Sequence, residues 1–293
     1  MLISVIIATY NSEETLEECL DSLVAQSFKD FEVVIKDGAS TDGTIDIINK
    51  YKSSLNLKLI SSADSGVYNA WNIALDEVQG EWITFFGSDD IIECHSSFEK
   101  IAADIRCVKP NVEMLFGKNT IIDLDGVEQK VLGEPWENAK TKLNKTMSVR
   151  HPGSLYKAEL LRRLNGFDDS FKIIGDYDFI LRAHSVCEGD FYNYSIVKHR
   201  IGGLSISPGK CMDVIKETIR LRKKHGLLPY VKIDALFIKR LLLHFSFAIF
   251  GSKASGAFFN LYRRVLNFFL CLVCVWFKLI RIFNCYLFGR HLK

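Results

Sequence analysis

The 293-residue chain has no cysteine framework. Its eight cysteines stand at 19, 94, 107, 187, 211, 271, 274 and 285, and only Cys271 and Cys274 have a paired spacing. That pair lies inside the apolar run Phe268–Phe277, with no His or second pair at zinc spacing. The pattern argues against a disulfide scaffold and a structural zinc, and it favours a reducing compartment. The chain also has no Gly-x-x-x-x-Gly-Lys-Ser/Thr loop and no Gly-x-Gly-x-x-Gly, which weighs against P-loop kinases, ATPases and dinucleotide oxidoreductases. No basic flank or small-residue cleavage site accompanies the apolar N-terminus, so Leu2–Ala8 reads as a first strand and not as a signal peptide. Internal repeats and low-complexity segments are missing. In the C-terminal part, the longest run without charge is the thirteen residues Val265–Phe277, short of the ~17–25 a bilayer-spanning helix needs.

What is present begins with an uneven charge. Overall the chain has 37 Lys or Arg, 35 Asp or Glu and 48% hydrophobic residues, the balance of a globular protein. Residues 230–293 carry ten of the bases and only one acid, Asp234, with 15 of the aromatics. Subtracting from 37 and 35 leaves 27 bases and 34 acids, so the body is at −7 and the tail at +9. Such a tail suggests an anionic membrane surface more than nucleic acid. The division expected is a domain over residues 1–228 and a membrane-associating helical tail over 229–293. The tail is read as two apolar, basic helices, Ala235–Phe250 and Phe258–Phe288, in a peripheral or re-entrant arrangement.

Along the body, strands and helices alternate. Apolar runs at Leu2–Ala8, Phe31–Ile35, Leu57–Ser61 and Trp82–Phe86 read as buried strands. Between them, residues from Ser12 to Gln26, Ile45–Tyr51 and Val67–Val78 read as helices. This predicts an α/β fold with a mostly parallel sheet covered on both faces. Further on, Ser97–Ile105 is expected as a helix, Val112–Gly117 as a strand and Ile121–Leu132 as a hairpin around Asp125-Gly126. Residues 133–150 read as a polar loop, Lys157–Leu164 and Asp176–Glu188 as helices, Tyr192–His199 as a strand and Met212–Gly226 as a basic amphipathic helix.

Acidic landmarks follow the strands in order: Asp37-Gly38-Ala39-Ser40-Thr41-Asp42-Gly43-Thr44, then Gly87-Ser88-Asp89-Asp90, then Gly175-Asp176-Tyr177-Asp178. Carboxylates at the carboxyl ends of parallel strands lie where open α/β sheets bind ligands. With Thr9-Tyr10-Asn11 and Asp64-Ser65-Gly66-Val67-Tyr68-Asn69-Ala70-Trp71-Asn72, the set resembles the family 2 glycosyltransferases over roughly residues 1–205. The resemblance implies a GT-A (Rossmann-like) fold and inverting transfer from a UDP-sugar to a lipid-linked glycan acceptor of O-antigen, capsule or exopolysaccharide. The place of work it implies is the cytoplasmic face of a bacterial inner membrane.

Site residues follow from chemistry and resemblance together. Thr9, Tyr10 and Asn11 are expected at the donor nucleoside, Tyr10 offering a stacking face. Asp37 is expected to accept the uracil N3–H, and Asp64 to join the pocket rim. Asp42 reads as a helix cap, and Asn72 either reaches the pocket or is a solvated helix polar. Asp89 is the expected Mg²⁺ or Mn²⁺ ligand with Asp90 in support, because a diphosphate leaving group needs charge neutralised and one or two carboxylates suffice. Asp176 is the expected base for the acceptor hydroxyl; as a helix cap, its pKa would be lowered. His151 and His199 read first as structural histidines, and Arg200 as a possible phosphate contact. Gly87 and Gly175 stand where the family pattern has acids. Two rivals stay open: a non-catalytic, membrane-associated scaffold of the same fold, and a nucleotidyltransferase, although Thr9–Glu14 is not its Gly-rich basic loop.

Overall fold

The fold was analysed in a computed structural model, which describes residues 1–201, 208–229 and 231. The larger of two units comprises Met1–Ser205 and Lys216–Val231. It opens with β1 (Ile3–Thr9), α1 (Leu16–Val24), β2 (Phe31–Asp37), α2 (Thr44–Tyr51), β3 (Leu57–Ser61), α3 (Val67–Leu75) and β4 (Trp82–Gly87). Strand β1 is apolar almost throughout because both faces are covered, and in β2 even the charged Glu32, Lys36 and Asp37 are buried. In α1, the buried Leu16, Cys19, Leu20 and Leu23 recur at helical spacing.

The second half contributes β5 (Ile91–Ile92), α4 (Ser97–Cys107), β6 (Val112–Ile122), β7 (Glu128–Leu132), α5 (Trp136–Lys140), β8 (Leu155–Lys157), α6 (Ala158–Arg163), α7 (Gly175–His184), β9 (Glu188–Arg200) and α8 (Cys211–Lys224). Helix α8 begins in the second unit, Ile206–Ile215 with Lys232–Lys293, whose described residues 208–215 hold a 3₁₀ turn at Pro208–Lys210 and the start of that helix.

Nine strands form one sheet in the order β3-β2-β1-β4-β8-β6-β9-β5, with β7 paired to β6. Strands β3, β2, β1 and β4 run parallel, and so do β6 and β9. The pairs β4–β8, β6–β8, β6–β7 and β5–β9 are antiparallel. The expectation of a mostly parallel sheet with C-terminal apolar basic helices is therefore corrected. The sheet is mixed, because the three-residue β8 inserts antiparallel between β4 and β6. The expected helices in 229–293 lie essentially outside the described residues. Among the described residues, no helix is long and apolar enough to cross a membrane.

One arrangement in this sheet shapes the site. Strand β9 makes an irregular match to β6, with Phe116 opposite Phe191 but Lys118 already opposite Ser195. The extra residues form a bulge, and the Tyr192 ring lies directly on Gly117, where any side chain would collide with it. Beyond the bulge, β9 runs on past β5 and carries His199 to the loop after β4.

Candidate active site

The carboxyl ends of β1 and β2 are tied into one loop system. Thr9 Oγ1 donates to Asp37 Oδ1 at 3.1 Å, and Ser40 Oγ donates to the same oxygen at 2.5 Å. Asp37 Oδ2 accepts the Ser40 N–H at 3.0 Å and the Ser61 hydroxyl at 2.9 Å. Burial opposes ionisation of Asp37, but the bonds from Ser40, Ser61 and Thr9 outweigh it and hold the carboxyl below its usual range. Its acceptor positions are thus filled from within, and it serves first as the anchor of this corner. Asn11 adopts a positive φ of 48° and locks the two loops together: its N–H donates to Ser40 Oγ at 2.8 Å and its side-chain oxygen accepts the Thr41 N–H at 2.9 Å. Asp42 accepts the N–H and hydroxyl of Thr44, the first residue of α2, from one position before the N-cap Gly43. Ser12 does not start α1, which begins at Leu16; its carbonyl accepts the Thr15 and Leu16 N–H groups instead.

Beside this corner Tyr10, Gly38 and Asp64 stand close together. The Tyr10 side chain is 66% exposed. A Cβ on Gly38 would stand 3.1 Å from Asp64 Oδ2 and 3.3 Å from the Tyr10 ring. Asp64 accepts the Gly66 N–H at 2.9 Å and the Lys36 ammonium at 3.0 Å. Lys36 is fully buried in β2 and also donates to the Asp37 and Ser62 carbonyls at 2.7 and 2.5 Å. Sequence reasoning missed Lys36; the signal was a lone cation inside a central strand whose other charges are the acids Glu32 and Asp37, and a lysine is found buried only when paired. Asn72 exchanges two 2.8 Å bonds with the Phe167 backbone, tying α3 to the turn before α7.

The loop after β4 holds the carboxylate pair. Asp90 is buried; its Oδ2 accepts the Gly87 N–H at 2.7 Å, and its Oδ1 accepts from His199 Nδ1 at 2.7 Å. Burial works against a charged His199, but the bond and charge of Asp90, with Asp89 behind it, raise its pKa. Asp89 is half-buried, and its carboxylate receives no hydrogen bond from another of the described residues. Burial and the Asp90 charge raise its pKa, with His199 and Arg200 opposing. A Cβ on Gly87 would lie 2.6 Å from Asp89 Oδ1, so the carboxylate of Asp89 occupies the place a side chain at 87 would take.

These residues fit a divalent cation. The Asp89 carboxylate, crowded by burial and by a second carboxylate, is relieved by a positive charge. His199, held by Asp90 through Nδ1, leaves Nε2 as the metal-capable nitrogen, as in carboxylate–histidine–metal arrangements. Among the described residues, no group of three or more His, Cys, Asp or Glu side chains forms a complete cage, so such a cation would take its remaining ligands from phosphates and water. Arg200 is committed elsewhere, to Glu18 at 2.7 Å and the Leu124 carbonyl at 2.8 Å, and does not present itself to a phosphate.

Asp176 sits in the first turn of α7. The Tyr68 hydroxyl lies 3.1 Å from Asp176 Oδ1 and 2.9 Å from the Ile173 carbonyl. The Tyr177 N–H donates to Asp176 Oδ1 at 2.9 Å. Burial dominates over these bonds and pushes the Asp176 carboxyl up to about 6, with Glu217 adding to the rise. The lowering expected of a helix cap is therefore corrected: desolvation outweighs the helix terminus. A Cβ on Gly175 would meet the Tyr68 ring at 2.8 Å, so the ring fills the space of the missing acid. Asp178, two residues on, faces the protein interior, where Arg182, Lys224 and His225 surround it and hold its pKa down against burial.

His151 is buried among Trp71, Phe85, Tyr156 and Phe167. Its Nδ1 lies 2.9 Å from the Tyr156 hydroxyl, and burial pushes its pKa down to about 3. It is a neutral, structural ring.

Comparison with known proteins agrees with this geometry. The family described as "Glycosyl transferase family 2" matches residues 4–122. A PGL/p-HBAD biosynthesis glycosyltransferase of Mycobacterium tuberculosis is 30% identical over 188 residues, which cover 63% of this chain and 70% of that protein. The UDP-Glc:alpha-D-GlcNAc-diphosphoundecaprenol beta-1,3-glucosyltransferase WfaP of Escherichia coli is 28% identical over 239 residues, 80% of this chain and 91% of that protein. Among solved structures, S. aureus TarS 1-349 in complex with UDP-GlcNAc superposes with a TM-score of 0.63 at 27% identity, covering 84% of this chain and 73% of that chain. This chain belongs to glycosyl transferase family 2. It is a glycosyltransferase with a GT-A-like α/β fold.

Proposed function

We propose that this enzyme transfers a sugar from a UDP-sugar to a lipid-linked oligosaccharide, with inversion, in the synthesis of a bacterial surface polysaccharide. The observation that carries the reading is Asp176, a half-buried carboxylate raised to about 6 and oriented by Tyr68. A base poised near the working pH suits abstraction of an acceptor hydroxyl proton. In a single displacement, the acceptor oxygen bonds to the anomeric carbon as the bond from that carbon to the phosphate oxygen breaks. The proton passes to Asp176 and the nucleoside diphosphate departs. Thr9, Tyr10, Asn11, Asp37 and Asp64 form the nucleoside side of the site, with the exposed Tyr10 ring offering a stacking face to a base. Asp89, with Asp90 and His199 behind it, would hold Mg²⁺ or Mn²⁺, which neutralises charge on the diphosphate.

The UDP donor is supported by TarS, solved with UDP-GlcNAc, and by WfaP, whose name gives UDP-Glc. The diphosphoundecaprenol in that name supports a lipid-linked acceptor, and the place of work proposed with it is the cytoplasmic face of the inner membrane. A non-catalytic scaffold was the rival suggested by Gly87 and Gly175. Both positions are filled by neighbouring functional groups, the Asp89 carboxylate and the Tyr68 ring, which favours the catalytic reading. The test is donor turnover over UDP-, GDP- and dTDP-sugars with and without Mg²⁺ or Mn²⁺. Turnover of a UDP-sugar that depends on the metal is expected; no turnover of any donor would favour the scaffold.

A further inference from the structure

We infer that Glu217, on α8, is the residue that positions the base: it grips the backbone leading into α7 and so sets the placement of Asp176. The inference rests on the reading of Asp176 as the base.

Three consecutive amides converge on this carboxylate. The Lys172 N–H donates to Glu217 Oε1 at 2.7 Å, and the Ile173 and Ile174 N–H groups donate to Oε2 at 3.0 and 3.2 Å. These amides precede Gly175, the first residue of α7. The start of a helix leaves N–H groups without partners inside the helix, and an anion there is favoured by the aligned peptide dipoles. No side chain of α7 itself supplies a cap, since its N-cap is Ile174. Glu217, from another helix, takes the N–H of this N-cap and of the two residues before it.

The grip reaches the base through two bonds. The residue whose N–H is held by Glu217, Ile173, offers its carbonyl to the Tyr68 hydroxyl, which in turn lies on Asp176. The same segment touches the donor-side loop, because the Lys172 ammonium donates to the Ser65 and Asp169 carbonyls at 2.8 Å each. Helix α8 is fastened close by: Arg220 lies over the Phe171 ring at 4.0 Å and also bonds to Ser170, and Lys224 pairs with Asp168 at 2.8 Å.

Electrostatics adds a second effect. The titratable groups facing Asp176 are Tyr68 from α3, Tyr156 from β8 and Glu217 from α8. Both tyrosines are held neutral by burial and by the Asp176 charge. Glu217 is the carboxylate among them, and its charge favours the protonated form of Asp176. Removing it moves the titration of Asp176 to lower pH.

The test compares Glu217→Gln, Glu217→Asp and Asp176→Asn in the full chain. Glu217→Gln is expected to lower kcat about tenfold with KM for the donor within twofold, as a misplaced base does. It should also move the acid limb of the pH–rate profile to lower pH. Glu217→Asp keeps the charge and leaves the limb in place, while hydrogen exchange at the amides of 172–174 quickens. An unmoved limb with wild-type kcat in Glu217→Gln, or unchanged exchange at 172–174 in Glu217→Asp, overturns the inference. Asp176→Asn separates the two readings: wild-type turnover there overturns the base assignment itself. A dead Asp176→Asn beside an unaffected Glu217→Gln overturns only the role of Glu217.

Discussion

Gly175→Ala places one methyl group where the Tyr68 ring now lies. The added Cβ would stand 2.8, 2.9 and 3.0 Å from three ring carbons, whereas carbon atoms prefer about 3.5–4.0 Å. The ring must therefore withdraw by roughly 0.7 Å or more. Tyr68 is buried and edge-packed on Trp71 at 5.4 Å, with Phe167 5.7 Å away, so it has little room. Overpacking of this kind costs about 1–3 kcal/mol of stability. The hydroxyl, now 3.1 Å from Asp176, is carried beyond hydrogen-bond reach. A catalytic group misplaced by around 1 Å loses on the order of 10²-fold in rate. Gly175→Ala should thus lower kcat by about 10–10²-fold and reduce Tm by several degrees. Gly175→Glu, which restores the family's acid, should be worse and not better. Steady-state transfer kinetics and a thermal melt on the two variants decide the matter. Wild-type kcat in Gly175→Glu would refute the claim that the Tyr68 ring takes the acid's place.

Asp176→Asn should keep donor binding, measured by calorimetry, and lower transfer by roughly 10²–10⁴-fold. It should also stabilise the fold at pH 8. The folded carboxyl titrates near 6 against 3.8 for the ordinary group, so its burial in charged form costs at most roughly 3 kcal/mol above pH 6. The folded state binds the proton more tightly, so wild-type stability rises as pH falls from above 6 towards 3.8, and the gain of the variant is roughly halved at pH 5 and lost only below about pH 3.8. A Tm difference that is equal at pH 5 and pH 8 contradicts this. Asp89→Ala should remove the metal-dependent part of donor binding and raise the barrier by on the order of 3–4 kcal/mol or more; near-normal turnover with the fold intact sinks the metal assignment. Lys36→Met leaves Asp64 without its buried partner, which should cost about 3–5 kcal/mol and weaken donor affinity, as urea unfolding and nucleotide titration would reveal; unaltered stability would show that the pair is dispensable.

The donor half was legible because its strands are buried on both faces and its acids follow them directly. Leu57–Ser61 was read to the residue, and the hairpin at Asp125-Gly126 appears as β6 and β7. The mixed sheet was not legible. Strand β8 has three residues and runs straight into α6, so its local pattern merges with the helix while its pairing is set by distant β4 and β6. The helix Trp136–Lys140 hid in a polar stretch for the same reason: Trp136 and Ala139 alone are buried. At the site, the acids were visible as residue types, but their partners were not. Tyr68, Lys36 and Glu217 act across 108, 28 and about 45 positions of chain, and nothing in local periodicity marks a residue that works at such range.

The bond between His199 and Asp90 spans 109 positions of the chain. Closing a loop of that length costs about 4 kcal/mol in chain entropy, more than one hydrogen bond returns. The closure is carried by the long β6–β9 ladder and by the short β5–β9 pairing that seats His199 beside the loop after β4. The carboxylate pair therefore gains its shape only once the far strand has arrived. A nascent chain holding β1 to β4 has the nucleoside corner complete but the cation side unformed. On this account, amide protection in refolding should appear at Gly38, whose N–H donates to the Thr9 carbonyl at 2.8 Å, before it appears at Glu93, whose N–H donates to the Ile196 carbonyl of β9 at 2.9 Å.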